Sequence, residues 1–442
     1  MINIVEQRVT NVLSNLKNRQ YQQKFLTKNT AFSRPTKQKM SFEEMTLFFL
    51  MNTGKSLSIE LLNFFNQLPN TRQTITKQAF SKQRQHLNSE LFEDLNKKYI
   101  QTIYTDRQTL FHGRLLIAVD GSTAEIPNVD ELIKHYGAAK ASSTSAQNAR
   151  AGLYGFYDPL NHLLLHLSVE KYQKNETKVF LENLSVIKEH WGNKPLCFIF
   201  DRGYISLELL FELERQGVDY LFRVSSSCYK AELLGASSND EEIELLVTKA
   251  RLKNVVDEEL QREYLARGTK RERLVKVELE SGEVEYLITN ISDSEVSYGE
   301  MRAFYYQRWE IERVFNLLKN RLHVEDICAR TVVGVEQEVL ASVFLGNIIE
   351  DIVVDVNKGL AQKERNKYEY FVNVNLLCGC VKNYFLLIYG VDGLDEVVRL
   401  FHYRRLVVFL RRTVVARCVG RRNSRVVRVS RNKYKTNFRN SF

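Results

Sequence analysis

The sequence predicts an α/β protein: a mixed sheet flanked by helices and interrupted by a β-rich insertion, with an all-α domain before it and a helical, basic region after it. Three patterns predict this. Between about 115 and 224, apolar runs and amphipathic segments follow in the order three strands, helix, strand, helix, strand. Residues before about 105 and after about 335 repeat their apolar positions at helical spacing instead. Between 225 and 297 a charged patch, Asn239-Asp-Glu-Glu-Ile-Glu244, precedes two strand-like runs, Arg273 to Glu280 and Glu283 to Asn290, joined by the hairpin signal Ser281-Gly282. The expected boundaries are 1–108 for the N-terminal domain, 109–224 for the first part of the core, 225–297 for the insertion, 298–335 for a helix completing the core, and 336–442 for the C-terminal region.

With 442 residues, 44% of them hydrophobic and 11% aromatic, the chain can bury the cores of two or three domains. Its formal charge of +10 points to a polyanionic partner, nucleic acid before membrane. The six cysteines are scattered, and Cys378-Gly-Cys380 has no second Cys/His pair at metal-binding spacing, so buried thiols are expected rather than disulfides or a zinc site. The start lacks the basic-then-apolar pattern of a leader. The most hydrophobic runs, Val339 to Ile349 and Asn375 to Val391, are broken by charges and fall short of the ~20 apolar residues that span a bilayer. A soluble protein of a reducing compartment, with no membrane partner, is expected.

At the N-terminus no acid occurs between Glu6 and Glu43, while Arg8, Lys17, Arg19, Lys24, Lys28, Arg34, Lys37 and Lys39 do. Such a segment either tracks a phosphate backbone or is a solvated arm. Ser41-Phe-Glu-Glu44 reads as a capping box opening a helix from Phe42 to Met51. A second helix, about Ser58 to Gln67, stops at Pro69-Asn70, and a third opens at Thr76. This rhythm suits a helix-turn-helix presenting Lys77, Gln78, Ser81, Lys82 and Gln85 to a DNA groove; a plain pair of amphipathic helices is the other reading.

In the core, Leu115-Leu-Ile-Ala-Val119 is a short buried run ending at Asp120-Gly-Ser-Thr123. Arg150 to Tyr157 and His162 to Val169 alternate as strands, and Lys178 to His190 is helical. Leu196-Cys-Phe-Ile-Phe200 is a further buried strand ending at Asp201-Arg-Gly-Tyr204. A helix, about Ile205 to Gln216, and a strand, Asp219 to Val224, follow. A carboxylate just past a buried strand stands at the rim of the sheet, so Asp120 and Asp201 would face one cleft. Taken singly, Asp120-Gly121 is also a turn signal and Asp201 a helix cap.

Further on, Tyr305, Arg308, Glu312 and Lys319 stand at i, i+3, i+7 and i+14, within an arc of roughly 60° on one helix face. Phe304, Ile311, Val314, Phe315, Leu318 and Leu322 form an apolar face beside them, so the helix buries one side and holds the polar stripe at a cleft. The stripe suits a metal-bound phosphodiester: Glu312 to ligate a hard cation, Arg308 and Lys319 to hold phosphates, Tyr305 to donate to a phosphate oxygen. A solvated face laced with charge pairs is the alternative.

The spacing Tyr305-x2-Arg308-x3-Glu312-x6-Lys319 matches the signature of the insertion sequence four family of bacterial DDE transposases. Asp120-Gly-Ser-Thr123 and Asp201-Arg-Gly-Tyr204 resemble that family's first two boxes, in the correct order. The resemblance implies a ribonuclease H-like core in which Asp120, Asp201 and Glu312 are catalytic and hold two Mg²⁺ ions, Mn²⁺ substituting, with Asp120 bridging both. It implies cut-and-paste transposition by an enzyme of the bacterial cytoplasm, at the nucleoid. This enzyme would bind the element's terminal inverted repeats, free a 3′-OH with water and join that hydroxyl to target DNA, as a homodimer on the synapsed ends. Tyr305, Arg308 and Lys319 would position phosphates of the end, and Trp309 would stack near the terminal base. The resemblance also implies an all-β insertion at 225–297, which in relatives that cleave through a DNA hairpin contributes a tryptophan. Here the only tryptophans, Trp191 and Trp309, lie outside it, which leaves Tyr229, Tyr264 or Tyr286 for that place.

After Leu322 the chain is again helical, with Val335 to Ile352 apolar enough to back the sheet. Beyond Glu396 no acid occurs, and arginines crowd the end, among them Arg421, Arg422, Arg425, Arg428 and Arg431, with Tyr434 and Phe438 between. Phosphate binding is their favoured use. Two other functions fit the same residues: a ribonuclease H-like nuclease or resolvase that cuts without joining, and a non-catalytic DNA-binding derivative of a transposase, against which the intact carboxylates argue.

Overall fold

The computed structural model describes residues 4–28, 32, 40–68, 74–140, 147–279, 282–360, 368–389 and 396–418. The chain divides into two compact units, one of Met1–Asp106, Thr123–Ala151 and Asn316–Phe442, the other of Arg107–Ser122 and Gly152–Phe315.

The first unit is mostly helical. Ser41 opens the helix Phe42–Met51 with both halves of the capping box formed: its hydroxyl accepts from the Glu44 amide at 3.0 Å, and the Glu44 carboxylate accepts from the Ser41 amide at 2.7 Å. The helices Leu57–Gln67 and Lys77–Arg84 follow, the second capped by Thr76. The centre of the unit is the 27-residue helix Val332–Lys358. Its main partners are the helices Glu90–Asp106, Phe42–Met51 and Ile4–Ser14. Buried residues run round most of its circumference, as an all-helical surround requires. The N-terminal domain and the C-terminal region therefore share one core rather than standing as separate domains.

Arg8 is not a phosphate-tracking arginine. It is buried, with Nη1 2.7 Å from Asp351 and Nη2 2.7 Å from Asp106, while the Tyr99 hydroxyl donates to Asp351 at 2.9 Å. Arg34, Lys37 and Lys39 of the N-terminal arm, and the basic tail from 419 onward, lie outside the described residues.

The strands of the main sheet, in chain order, are β1 (Leu115–Glu125), β2 (Ala138–Lys140), β3 (Gln147–Asp158), β4 (Leu163–Lys171), β5 (Leu196–Phe200), β6 (Asp219–Val224), β7 (Asp240–Leu246), β8 (Thr269–Glu278) and β9 (Val284–Thr289). In the second unit the sheet runs β3-β1-β5-β6-β9-β8-β7, with β4 paired to β3. β1, β5 and β6 are mutually parallel, and β9, β8 and β7 continue antiparallel. Two expectations change here. β1 does not stop at Asp120 but continues as strand through Gly121 to Glu125, so no turn forms there. The insertion is not all β either. It carries the helices Lys230–Gly235 and Glu258–Arg267, and its strands extend the core sheet, β9 pairing with the edge that β6 would otherwise leave open.

Strand alternation sorts the side chains. Leu116, Cys197, Ile199, Leu221, Val275 and Leu287 pack with Met301, Phe304 and Tyr305 of the helix Tyr298–Tyr306. An aromatic cluster forms separately: Phe180 of the helix Glu176–Trp191 lies 5.0 Å from Phe198, and Phe200 stacks on Phe222 at 4.4 Å. Among the described residues no helix is long and apolar enough to cross a membrane.

Candidate active site

Parallel pairing of β1 with β5 sets Val119 opposite Phe200. The next residues, Asp120 within β1 and Asp201 just past the end of β5, are thus neighbours. By the two-residue period Asp120 shares a face with Leu116, and Asp201 with Cys197 and Ile199, which is the face covered by the helix Tyr298–Tyr306. Sheet register and pleat alone bring both acids under the helical segment that carries Glu312.

That segment departs from the single stripe expected of it. Ser297 starts it with a capping box, and the α-helix Tyr298–Tyr306 then tightens to a 3₁₀ turn at Gln307–Trp309, resumes at Glu310–Asn316 and widens to a π turn at Leu317–Arg321. The backbone stays in the right-handed helical region throughout, but the residues per turn change. Tyr305 and Arg308 turn inward, 1% and 2% exposed, while the Glu312 side chain remains 39% exposed.

Arg308 is the hub of the site. Its Nη1 lies 3.7 Å from Asp120 Oδ2 and 4.0 Å from Asp201 Oδ2, and its Nη2 is 3.4 Å from Glu312 Oε1. Tyr305 donates its hydroxyl to Asp201 Oδ1 at 3.4 Å. The guanidinium carbon sits 4.4 Å from the ring centre of Trp309, which is partly exposed beside it. Burial pushes the Asp120 carboxyl up to about 6, against the Arg308 charge and the Gly121 amide, with Glu176 and Asp201 adding repulsion. The Arg308 guanidinium is held still more firmly protonated: Tyr305, Asp201 and Asp120 raise its pKa despite the opposing effect of burial.

The other expected site residues belong to the first unit. Lys319, on the π turn, has Glu325, Arg150 and Glu125 as its electrostatic neighbours, and burial lowers its pKa. Lys77 and Lys82 are exposed on the helix Lys77–Arg84, as are Gln78, Ser81 and Gln85. Of the tyrosines suggested for the place of a stacking tryptophan, Tyr264 is buried and stacked on Phe211 at 4.2 Å, and Tyr229 lies under Arg251 at 4.8 Å. Each already has a partner.

The sequence reading missed Glu176. It is the first residue of the helix Glu176–Trp191, and a Cβ added to Gly121 would stand 2.6 Å from its Oε1. Asn175, a helix N-cap, marks where the helix starts, but nothing in the spacing links that start to Asp120.

The donors here are carboxylate oxygens, the set that suits a hard divalent cation. Among the described residues, no three acids, histidines or cysteines are gathered closely enough to hold an ion as they stand. Asp120, Asp201 and Glu312 are collected round a cationic group instead, with Asp120 resisting ionisation, so extra positive charge at this point is favoured. The residues present fit a divalent metal in chemistry and charge.

The site lies within the stretch that identifies the chain. The family model of the transposase DDE domain matches residues 111–348, more than half of the chain, and the chain belongs to that family. It is thus a DDE transposase, of the class that cleaves and joins DNA and generally uses divalent metals. Its structure is also similar to that of the piggyBac transposase in a synaptic complex with hairpin DNA, seen by cryo-EM. The two chains are 9% identical, with a TM-score of 0.42 over 89% of this chain and 84% of that one. No curated protein matches the chain in sequence.

Proposed function

We propose that the protein is the transposase of a bacterial insertion sequence of the insertion sequence four family, cleaving the element's terminal inverted repeats and joining their 3′-OH groups to target DNA. One observation carries the reading: acids from three distant segments, Asp120, Asp201 and Glu312, meet at the single buried guanidinium of Arg308. A nuclease needs such a centre too, but the Tyr305, Arg308, Glu312 and Lys319 spacing favours strand transfer.

Asp120, Asp201 and Glu312 hold the cations, two Mg²⁺ or Mn²⁺ ions. When bound, divalent cations activate the attacking oxygen and stabilise the leaving 3′-oxygen. Arg308 keeps the acids together while the site is metal-free, and its buried, permanently charged guanidinium orients a phosphate of the DNA end. Tyr305 fixes the Asp201 carboxylate through its hydroxyl. Trp309, partly exposed beside the centre, stacks near the terminal base. Lys319, Lys77 and Lys82 contact phosphates of the end, and a homodimer holds two ends together.

The test is a joining assay in Mg²⁺ with precleaved element ends and a target plasmid. Wild type joins the ends, and Asp201→Asn does not. Cutting of uncleaved ends without any joining would favour the nuclease reading instead.

A further inference from the structure

We infer that Glu176 is a fourth acid of the cation site, facing Tyr204 and admitted by the absence of a side chain at Gly121; the inference rests on the proposed roles of Asp120, Asp201 and Glu312. Glu176 starts the helix Glu176–Trp191 beside Gly121 of β1, but the cap is made by Asn175, whose side chain accepts from the Lys178 amide at 2.9 Å. The Glu176 carboxylate is therefore left over from capping. It lies over the residue that follows Asp120: a Cβ on Gly121 would meet Oε1 at 2.6 Å, whereas one on Gly203, two residues past Asp201, would meet Oε2 at 3.8 Å, an ordinary contact. Only a residue without a side chain at 121 leaves the carboxylate where it is.

Its surroundings point the same way. Tyr204 is 1% exposed and turns its hydroxyl towards Glu176, where it finds no partner of full hydrogen-bond geometry among the described residues. The acids Asp201 and Asp120 are its charged neighbours. An acid in the first turn is favoured by the helix dipole. The dipole does not account for an unpartnered buried phenol facing that acid, nor for the glycine at 121 where the carboxylate approaches. A part-buried carboxylate among like charges, facing an unpartnered buried hydroxyl, is a ligand position for a cation shared with Asp120 and Asp201.

The test uses the full-length, metal-free protein and Mn²⁺, read by loss of the free-ion electron paramagnetic resonance signal. Glu176→Gln is expected to weaken Mn²⁺ binding at least about tenfold, and Tyr204→Phe about threefold. Glu176→Asp, which keeps the charge, should fall between wild type and Glu176→Gln. Melting in EDTA provides the second readout: a purely structural Glu176 would shift the melting temperature and leave Mn²⁺ affinity within twofold of wild type, which overturns the inference. Tyr204→Phe decides the matter in the same way if Glu176→Gln does not fold. Glu312→Gln separates the two levels. If it too leaves Mn²⁺ binding unchanged, the proposed function fails; if it weakens binding and Glu176→Gln does not, only the fourth acid is lost.

Discussion

Arg308 Nη1 stands 3.7 Å from Asp120 Oδ2, joining a guanidinium 2% exposed to a carboxylate on the central parallel strands. The same arginine reaches Asp201 and Glu312. In the metal-free protein it offsets the repulsion among three acids that the sheet register and the helical segment force together.

Removing that charge destabilises the metal-free protein. Arg308→Met is expected to cost about 1–3 kcal/mol, less than a fully buried pair because Asp201 and Glu312 are 38% and 39% exposed. Thermal unfolding in EDTA should show the loss, and Mg²⁺ should narrow the gap to wild type. A gap unchanged by Mg²⁺ would speak against a cation site.

The raised Asp120 pKa fixes a pH dependence. The carboxyl moves from its usual value near 3.8 to about 6 in the folded chain. Its stabilising contribution is therefore complete below pH 3.8 and lost as pH rises through 6. Asp120→Asn mimics the neutral form, so in EDTA it should match wild type at pH 4 and exceed it at pH 8 by at most about 3 kcal/mol. Urea unfolding at the two pH values measures this; equal stabilities at pH 8 would contradict it.

Much of this centre was legible beforehand. β5 and β6 fall where their apolar runs place them, and the Ser41 capping box opens its helix at the expected residue. Asp120, Asp201 and Glu312 were read from their place after strands and on a helix. What escaped was set by packing. An Asp-Gly pair signals a turn only where the chain is free to reverse, and here pairing with neighbouring strands carries β1 through Gly121. The even stripe through Lys319 assumed 3.6 residues per turn, which the 3₁₀ and π turns break. Glu176 left no trace because its link to Asp120 is through space.

Arg8 shows the same lesson for charge. The acid-free run from Arg8 to Lys39 groups it with phosphate-tracking or solvated cations, but it is buried against Asp351, itself 2% exposed. Arg8→Ala should destabilise the chain by about 3–5 kcal/mol by removing the guanidinium that balances that buried charge. DNA affinity measured at a temperature where the variant is folded should not change, whereas a parallel loss of affinity would restore the phosphate-contact reading.

His166 predicts acid lability of the second unit. Asn183 donates its amide nitrogen to the Val179 carbonyl at 2.8 Å, so its oxygen is the atom that faces His166 Nε2, at 2.9 Å, and accepts from it. Burial lowers the imidazole from 6.5 to about 4. Its contribution is present above pH 6.5 and lost as pH falls through 4. His166→Gln should flatten the fall in urea midpoint across that window; an unaltered slope would show that another group titrates.

The most direct measurement is Mg²⁺-dependent cleavage of the element's ends by Glu312→Gln, alongside binding of the same ends by gel shift. Retained binding with cleavage below detection is the predicted result. Cleavage at the wild-type rate by that variant would contradict the assignment of Asp120, Asp201 and Glu312 to one catalytic centre.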